Sequence, residues 1–252
     1  MTASQRHAEI LDVLERDGRV SVAEFSAAMN VSEMTVRRDL QALEQRGVLA
    51  RVHGGAIPAP SRSYEPPLEA RLTRNVEAKQ RIGVATAALL QEGETVVLDA
   101  GTTALAVAEA LKGRQMRILA VNLRIADVPV DEPGIALRVS GGAVRPGERS
   151  LVGPLAERAF EDLAFDTLVL AVGGVDIGMG VTDYRVEDAS LKRAAMASAR
   201  RCIAIADSSK LGHVAFARTC PVSDIDALVT DEGAPPGLVA ELRGAGVEVV
   251  IA

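Results

Sequence analysis

The sequence predicts an α/β protein in two parts: a small segment of three helices closed by a β-hairpin, followed by a mostly parallel sheet covered by helices on both faces. Three observations predict it. Apolar residues recur at helical spacing through the N-terminal part. From about Leu68 onward, short Val/Ile/Leu/Ala runs alternate with helix-like stretches, as in a sheet buried on both sides. Between the two lies "PAPSRSYEPPLEARLTRN", which holds Pro58, Pro60, Pro66 and Pro67, four of the chain's eleven prolines.

Each element follows from its own residues. Ile10, Val13 and Leu14 mark a first helix from about Ser4 to Arg16, broken by "DGR". Ser21 suits the N-cap of a second helix carrying Val22, Phe25 and Met29, which stops at "MNVS". Ser32 suits the cap of a third, where Val36, Leu40 and Leu43 share one face and Gly47 ends the helix. "VLARVHGGAI" then places strand-forming residues on either side of a Gly-Gly pair, as a two-stranded wing would. The proline-dense segment reads as an extended linker that becomes helical after Pro67. Beyond it, "TVVLD", "RILAV", "ALRVS", "DTLVLAV", "RCIAIA", "DALVT" and "VEVVIA" are the expected strands. "TALAVAEALK", "RVEDASLKRAAMASA" and "PPGLVAELRGAG" lie among them as helices. The expected domains are 1–57, a linker 58–75, and 76–252.

Composition narrows the function. A chain of 252 residues that is 48% hydrophobic but only 2% aromatic, with no Trp, must build an aliphatic core. The start carries no basic segment followed by an apolar run, and no window offers the roughly 18 uncharged residues of a membrane helix. A cytoplasmic protein without membrane contact is expected. Cys202 and Cys220 lack ligand-like spacing, so neither a disulfide framework nor a metal site is expected, and no cofactor is called for.

The lengths of the second helix, the "MNVS" turn and the third helix are those of a helix-turn-helix, whose second helix enters the major groove. With Val36, Leu40 and Leu43 turned inward, Glu33, Met34 and Thr35 face outward, and Arg37 and Arg38 follow one turn later. Arginine there can fork onto guanine or clamp a phosphate. The competing reading is a solvated face laced by ion pairs, such as Asp39 with neighbouring arginines. Net charge does not decide the matter: it is -6, and residues 1–57 hold seven Lys/Arg against eight Asp/Glu. Placement does. Arg37, Arg38, Arg46 and Arg51 gather between the third helix and the wing, whereas Glu9, Asp12, Glu15 and Asp17 belong to the first helix and its exit.

"VSVAEFSAAMNVSEMTVRRDLQALEQRGVLARVHGGA" closely resembles the winged helix-turn-helix of the DeoR family of bacterial transcriptional regulators. That family's pattern runs V-S-x-x-T-[IV]-R-R-D-L-x-x-L-x-x-x-G-x-[LI]-x-R-x-H-G-G-A. The resemblance implies double-stranded operator DNA as partner. It implies Thr35, Arg37 and Arg38 as recognition-helix contacts, with Ser32 and Met34 beside them, and Arg51 and His53 on the wing.

In the second part, "VVLDAGTTALAVAEAL" sets a glycine and two threonines between strand and helix, where free amides suit an anion such as phosphate. The alternative is an ordinary turn with Thr102 as N-cap. Gly141 with Gly142, Gly173 with Gly174, and "ADSSK" also follow strand ends, where open parallel sheets bind ligands. The stretch from about Glu69 to the C-terminus resembles the DeoR effector domain, which is related to ribose-5-phosphate isomerase and Rossmann-like. The matching pieces are "RLTRNVEAKQRIG", "LDAGTT", "SGGAV", "GGVDIGMGVTD", "EDASLKRAAM" and "ADSSKLG". The resemblance implies a phosphorylated sugar or polyol as effector. Gly101, Thr102 and Thr103 would surround its phosphate, Asp99, Asp176 and Lys192 would lie near the sugar, and Lys210 would add a cation. Asn122, Gly141 and Gly142 complete the candidate set. Val121 departs from the Thr the family more often has before Asn122, which withdraws support for a hydroxyl contact there.

Ungapped alignment of "ASLKRAAMASARRCIAIADSSK" with the isomerase puts Lys192 where the isomerase has its glutamate base, and "GMGVTD" replaces its Lys-Gly-Gly-Gly stretch. A protonated lysine cannot take a proton from carbon. The expectation is therefore a repressor of a sugar or polyol operon that binds without turnover, acting as a homo-oligomer, dimer or tetramer, on symmetric half-sites. The alternatives are a sugar-phosphate isomerase with an appended DNA-binding domain, for which Glu187 would have to serve as base, and an architectural DNA binder.

Overall fold

A computed structural model describes residues 2–45, 48–58 and 61–252. Arg46, counted in the basic cluster, Gly47, expected to end the third helix, and Pro60 of the linker lie outside the described residues. The chain forms two compact units, Met1–Arg74 and Asn75–Ala252.

The first unit runs α1 (Ala3–Asp17), β1 (Val20–Ser21), α2 (Val22–Met29), α3 (Glu33–Gln45), β2 (Leu49–Val52), β3 (Gly55–Pro58) and α4 (Leu68–Thr73). A capping box between Thr2 and Gln5 starts α1, and left-handed Gly18 ends it. Ser21 caps α2 through the Glu24 amide, as its position before an apolar run predicts. Ile10, Leu14, Val22, Phe25, Val36, Leu40 and Leu43 form one buried cluster, joined by Val20, Leu49 and Ala56 from the sheet. The wing differs from expectation in two ways. It has three strands, in the order β1-β3-β2, because Val20 and Ser21 pair antiparallel with Ala56 and Gly55. Its turn is His53-Gly54, not Gly-Gly: Gly54 takes φ +78, while Gly55 already pairs with Val52 and lies so close to Val20 that a Cβ would fall 1.9 Å from that carbonyl oxygen. The segment expected as a linker contributes Tyr64, packed on the N-terminal cluster, and the buried Leu68 that opens α4 behind Pro67.

The second unit runs α5 (Val76–Ala88), β4 (Thr95–Leu98), α6 (Thr102–Ala110), β5 (Met116–Ala120), α7 (Leu123–Ala126), β6 (Ile135–Val139), β7 (Ala143–Val144), β8 (Leu151–Val152), α8 (Pro154–Arg158) and β9 (Phe165–Ala171). It continues through β10 (Gly174–Asp176), β11 (Gly180–Asp183), α9 (Val186–Ser198), β12 (Ala199–Ile205), β13 (Ala217–Cys220), β14 (Ala227–Thr230), α10 (Pro236–Gly244) and β15 (Glu248–Ile251). Seven strands form a wholly parallel sheet in the order β15-β14-β12-β9-β4-β5-β6. Successive residues of β9 alternate between two aliphatic cores: Leu168 and Leu170 face α9 and α10, while Val169 and Ala171 face α5 and α6. The chain winds from β4 outward through β5 and β6, then restarts at β9 on β4's other side, so the topological switch point lies between β4 and β9. Beyond it, β10, β11 and β13 make a small antiparallel sheet and β7 pairs β8.

Cys202 and Cys220 are buried, and burial pushes both thiols up, Cys220 to about 11, so neither is a thiolate at neutral pH. Among the described residues no helix is long and apolar enough to cross a membrane.

Close packing of α5 on α6 depends on Gly83, where an added Cβ would meet the Ala106 carbonyl oxygen at 2.6 Å. Gly237, in the first turn of α10, has nothing within 4 Å of that position. Gly83→Ala is therefore expected to lower stability by about 1–3 kcal/mol, whereas Gly237→Ala is neutral or stabilising by up to about 1 kcal/mol. Urea unfolding of the full chain followed by circular dichroism checks both signs.

Candidate functional site

In the first unit, the i and i+4 ridges of α3 place Glu33 with Arg37, and Met34 with Arg38, on its exposed side. Ser32 accepts from the Thr35 amide at 3.2 Å and shares a 2.9 Å hydroxyl contact with the Thr35 side chain, which leaves Thr35 half-buried at the helix start. Arg37 Nη2 donates to Glu33 Oε2 at 2.8 Å. On the wing, the Arg51 amide donates to Glu44 Oε1 at 3.0 Å and its Nε lies 3.3 Å from Glu44 Oε2. His53 is exposed at the turn. Arg38 makes no hydrogen bond or ion pair among the described residues.

Asp39 does not pair with its arginine neighbours. It is buried, and it accepts from Arg6 Nε at 2.6 Å, Arg6 Nη2 at 3.1 Å and lies 3.2 Å from His7 Nε2. The ion pair fastens α3 to α1, two helices far apart in sequence, and so fixes which way Arg37 and Arg38 point.

The second site gathers at the strand ends beside the switch point. Gly101, not Thr102, is the N-cap of α6, and its φ of +122 is one that side-chain-bearing residues avoid. No side chain caps that helix start, so the amides of Thr102, Thr103 and Ala104 remain for an acceptor. Directly below, Lys192 reaches from α9 across the ends of three strands. Its Nζ donates to the Ala171 carbonyl at 2.6 Å, lies 3.1 Å from Asp99 Oδ2, and donates to Asp183. Asp99 Oδ2 also accepts the Ala171 amide at 3.0 Å, and Asp183 accepts the Tyr184 amide at 2.6 Å. All three side chains are under 10% exposed. Burial alone would pull the Lys192 ammonium down, but the Asp183 charge, and after it that of Asp99, holds it above the ordinary lysine range. Burial pushes the Asp99 carboxyl up despite the ammonium beside it.

Lys210 joins this region: its Nζ donates to Tyr184 Oη at 3.1 Å, and that hydroxyl lies 3.3 Å from the Gly173 carbonyl oxygen. Other expected residues are engaged locally. Asn122 caps α7, accepting from Arg124 and Ile125 amides at 2.8 and 3.3 Å and donating to the Glu148 carbonyl at 2.9 Å. Gly141 and Gly142 both take positive φ, and Gly142 is also forced by close approach, since a Cβ would sit 2.7 Å from the Val152 carbonyl oxygen. Asp176 accepts from the Gly178 and Met179 amides in the hairpin turn, at the end of β10–β11 opposite to Asp183. The structure thus brings together Asp99, Gly101, Thr102, Thr103, Lys192 and Lys210, and sets Asp176 apart.

Three contributors escaped the sequence reading. Asp183 is one; nothing in "GVTD" distinguishes it until the register of β11 is known. Asp207 and Asn75 are the others: Asp207 accepts from the Ser209 amide at 3.1 Å, from the Ser209 hydroxyl and from Asn75 Nδ2 at 3.3 Å. Burial pushes the Asp207 carboxyl up, yet the Ser209 hydroxyl with the charges of Lys210 and Lys79 holds it below the usual carboxylate range. "ADSSK" signalled this turn, but only its lysine drew notice.

Comparison with known proteins covers both units. The family pattern described as a DeoR-like helix-turn-helix domain matches residues 6–61, and that of the DeoR C terminal sensor domain matches residues 74–232. The HTH-type transcriptional regulator GolR of Listeria innocua is 31% identical over 98% of this chain and 98% of its own length. The regulator GlpR of Haloferax volcanii is 32% identical over 99% and 98%. The HTH-type transcriptional repressor CsqR of Escherichia coli K12 is 31% identical over 100% and 96%. Among solved structures, a ribose 5-phosphate isomerase from Methanocaldococcus jannaschii is 12% identical over 54% of this chain and 55% of its own, with a TM-score of 0.41, too distant to argue from.

Removing the cation between Asp99 and Asp183 tests the strand-end lock. Lys192→Met is expected to lower stability by roughly 3–5 kcal/mol at neutral pH, because two buried carboxylates lose their counter-charge. Asp99, already pushed up by burial, would lose the ammonium that opposes that shift and bind protons more readily folded than unfolded, so the variant's stability should fall as pH rises from about 4 to 7. Urea melts across that range, compared with wild type, measure the difference.

Proposed function

The chain belongs to the DeoR family, and from that premise we propose that it is a DNA-binding transcriptional repressor of a sugar or polyol operon, controlled by a phosphorylated sugar or polyol. The observation that carries the reading is the division of α3: Val36, Leu40 and Leu43 are at most 1% exposed while Arg37 and Arg38 stand in solvent. Ser32, Met34 and Thr35 extend that face toward the groove, and Arg51 and His53 reach the flanking backbone. A symmetric pair of such helices requires a homo-oligomer, dimer or tetramer.

The strand-end crevice supports the effector half. The three cations named there, Lys79, Lys192 and Lys210, are matched by Asp99, Asp183 and Asp207. A phosphoryl group would therefore be held chiefly by the amides that open α6 and by the Thr102 and Thr103 hydroxyls, and would gain less from surplus charge. Lys192 argues against turnover. Its ammonium is committed to two carboxylates and a carbonyl, so it has no lone pair with which to take a proton. Glu187, the substitute base, is exposed on the first turn of α9.

The effector can alter DNA affinity only by favouring one arrangement of the chain over another. Asn75, the first residue of the C-terminal unit, donates to Asp207 and holds a left-handed φ of 49. A ligand drawing on the Asp207–Lys210 turn would thus act on the residue at which the chain passes to the other unit.

Footprinting of the promoter upstream of the protein's own operon, with and without sugar phosphates, should show salt-sensitive protection that such a ligand changes. No protection at any promoter would sink the reading. Arg37→Ala with Arg38→Ala should weaken operator binding on the order of a hundredfold or more while preserving ligand-induced thermal stabilisation. Thr102→Ala with Thr103→Val should do the reverse. Asn75→Ala should keep both binding activities and shrink the ligand's effect on protection.

A further inference from the structure

We propose that Glu33 is a specificity-determining residue of the DNA-reading helix: it holds the Arg37 guanidinium on the base edges of the groove and keeps it off the phosphates. The proposal rests on the DNA-binding reading above. Glu33 is the first residue of α3, the end of a recognition helix that comes nearest the bases, and Arg37 follows one turn later. Their contact, Arg37 Nη2 to Glu33 Oε2 at 2.8 Å, joins side chains that are 56% and 48% exposed, so it contributes little to folding. Its effect belongs on the surface, in what the guanidinium is left free to do.

Two kinds of arginine stand on this face. Arg37 and Arg51 are each pinned by a carboxylate, Glu33 and Glu44. Arg38 carries no such partner among the described residues. An unpinned guanidinium at a groove mouth is drawn to the nearest phosphate, which binds all sequences alike. Arg37, pinned at the helix end that enters the groove, has spent an N–H on Glu33 and offers its remaining donors in one direction, toward guanine O6 and N7. Arg51, pinned on the wing, lies beside the groove and meets only the backbone. The carboxylate acts twice more: it is repelled by phosphates, which penalises misplaced docking, and it can accept from cytosine N4. Glu33 and Arg37 together fit a G·C base pair or two neighbouring ones, whereas Arg38 fits the backbone.

The test uses the full chain and the operator fragment located by footprinting. Affinities of wild type, Glu33→Gln, Glu33→Ala and Arg37→Ala are measured for the operator, for its single-base variants and for a random duplex, over a salt titration. Glu33→Gln is expected to raise random-duplex affinity several-fold and to cut the operator-to-random ratio about tenfold. The lost discrimination should fall at a G·C pair that Arg37→Ala also relaxes. Thermal unfolding of both Glu33 variants should match wild type, since the side chain is exposed. Should Glu33 merely favour the helix dipole, its variants would weaken all sequences equally and keep the ratio, and the proposal would be overturned. Lost discrimination at a pair indifferent to Arg37→Ala would overturn it as well. A wild-type chain that protects no promoter overturns the DNA-binding reading first, and this proposal with it.

Discussion

The C-terminal unit turns on one buried ammonium group. At the switch point the sheet reverses its winding, the ends of β4 and β9 lie side by side, and two carboxylates sit under the crevice where a ligand's negative charge would enter. Left alone, Asp99 and Asp183 would repel each other and any phosphate above them. Lys192 cancels that repulsion and, by also binding the Ala171 carbonyl, ties α9 to the two central strands. Lys192 is itself held by these contacts as a group that only donates. Under the proposed reading, the same neutralisation would let an anion approach the strand ends without repulsion from Asp99 and Asp183.

The N-terminal unit follows the same logic at smaller scale. Asp39 is flanked in sequence by Arg38 but pairs with Arg6 and His7 of α1. The buried carboxylate spends its charge inward and leaves the arginines outside. In both units a charge that looks like part of a surface cluster in the sequence is the internal fastener, and the groups left over face outward.

Much of this was legible before any coordinates. All seven strands of the parallel sheet overlap the expected runs, with β5, β6, β9 and β12 starting one or two residues earlier, because central strands such as β4 and β9 are buried on both faces and carry little polar alternation. Helices α1 to α3 were equally plain, as where Val36, Leu40 and Leu43 repeat at the helical period. Much of what escaped was short or glycine-rich: β1 has two residues, and β10 and β11 lie in "GGVDIGMGVTD", where no periodicity survives, although the longer α5 also went unassigned. The wing turn was displaced by one residue because "HGG" does not say which glycine needs positive φ. Gly101 takes the cap that the alternative reading gave to Thr102 for the same kind of reason: the backbone there, at φ +122, disfavours a side chain. Asp183 was invisible because only the register of β11 against β10 and β13 carries it to Lys192, while Asp176, nearer the motif's start, is carried away.

A net charge of -6 is ill suited at first sight to the proposed binding of DNA and of a phosphorylated effector. The structure resolves this through range. At physiological ionic strength charges farther apart than about 8 Å are largely screened from one another, so the total matters less than what lies within one turn of each site. On α3 the screening works for the protein: Asp12 of the first helix pairs with Arg74 and Asp17 with Arg16, while Arg37 and Arg38 stand exposed on neighbouring ridges. In the crevice the matching of cations by carboxylates would leave the fixed dipoles of α6 as the net attraction for the proposed effector. Dipoles act over a shorter distance than a surplus of lysines would, and they reward an acceptor that fits the amide positions more than one that is merely negative. Under the proposed reading, a site built this way would favour an acceptor shaped like a phosphoryl group over one that is only negative.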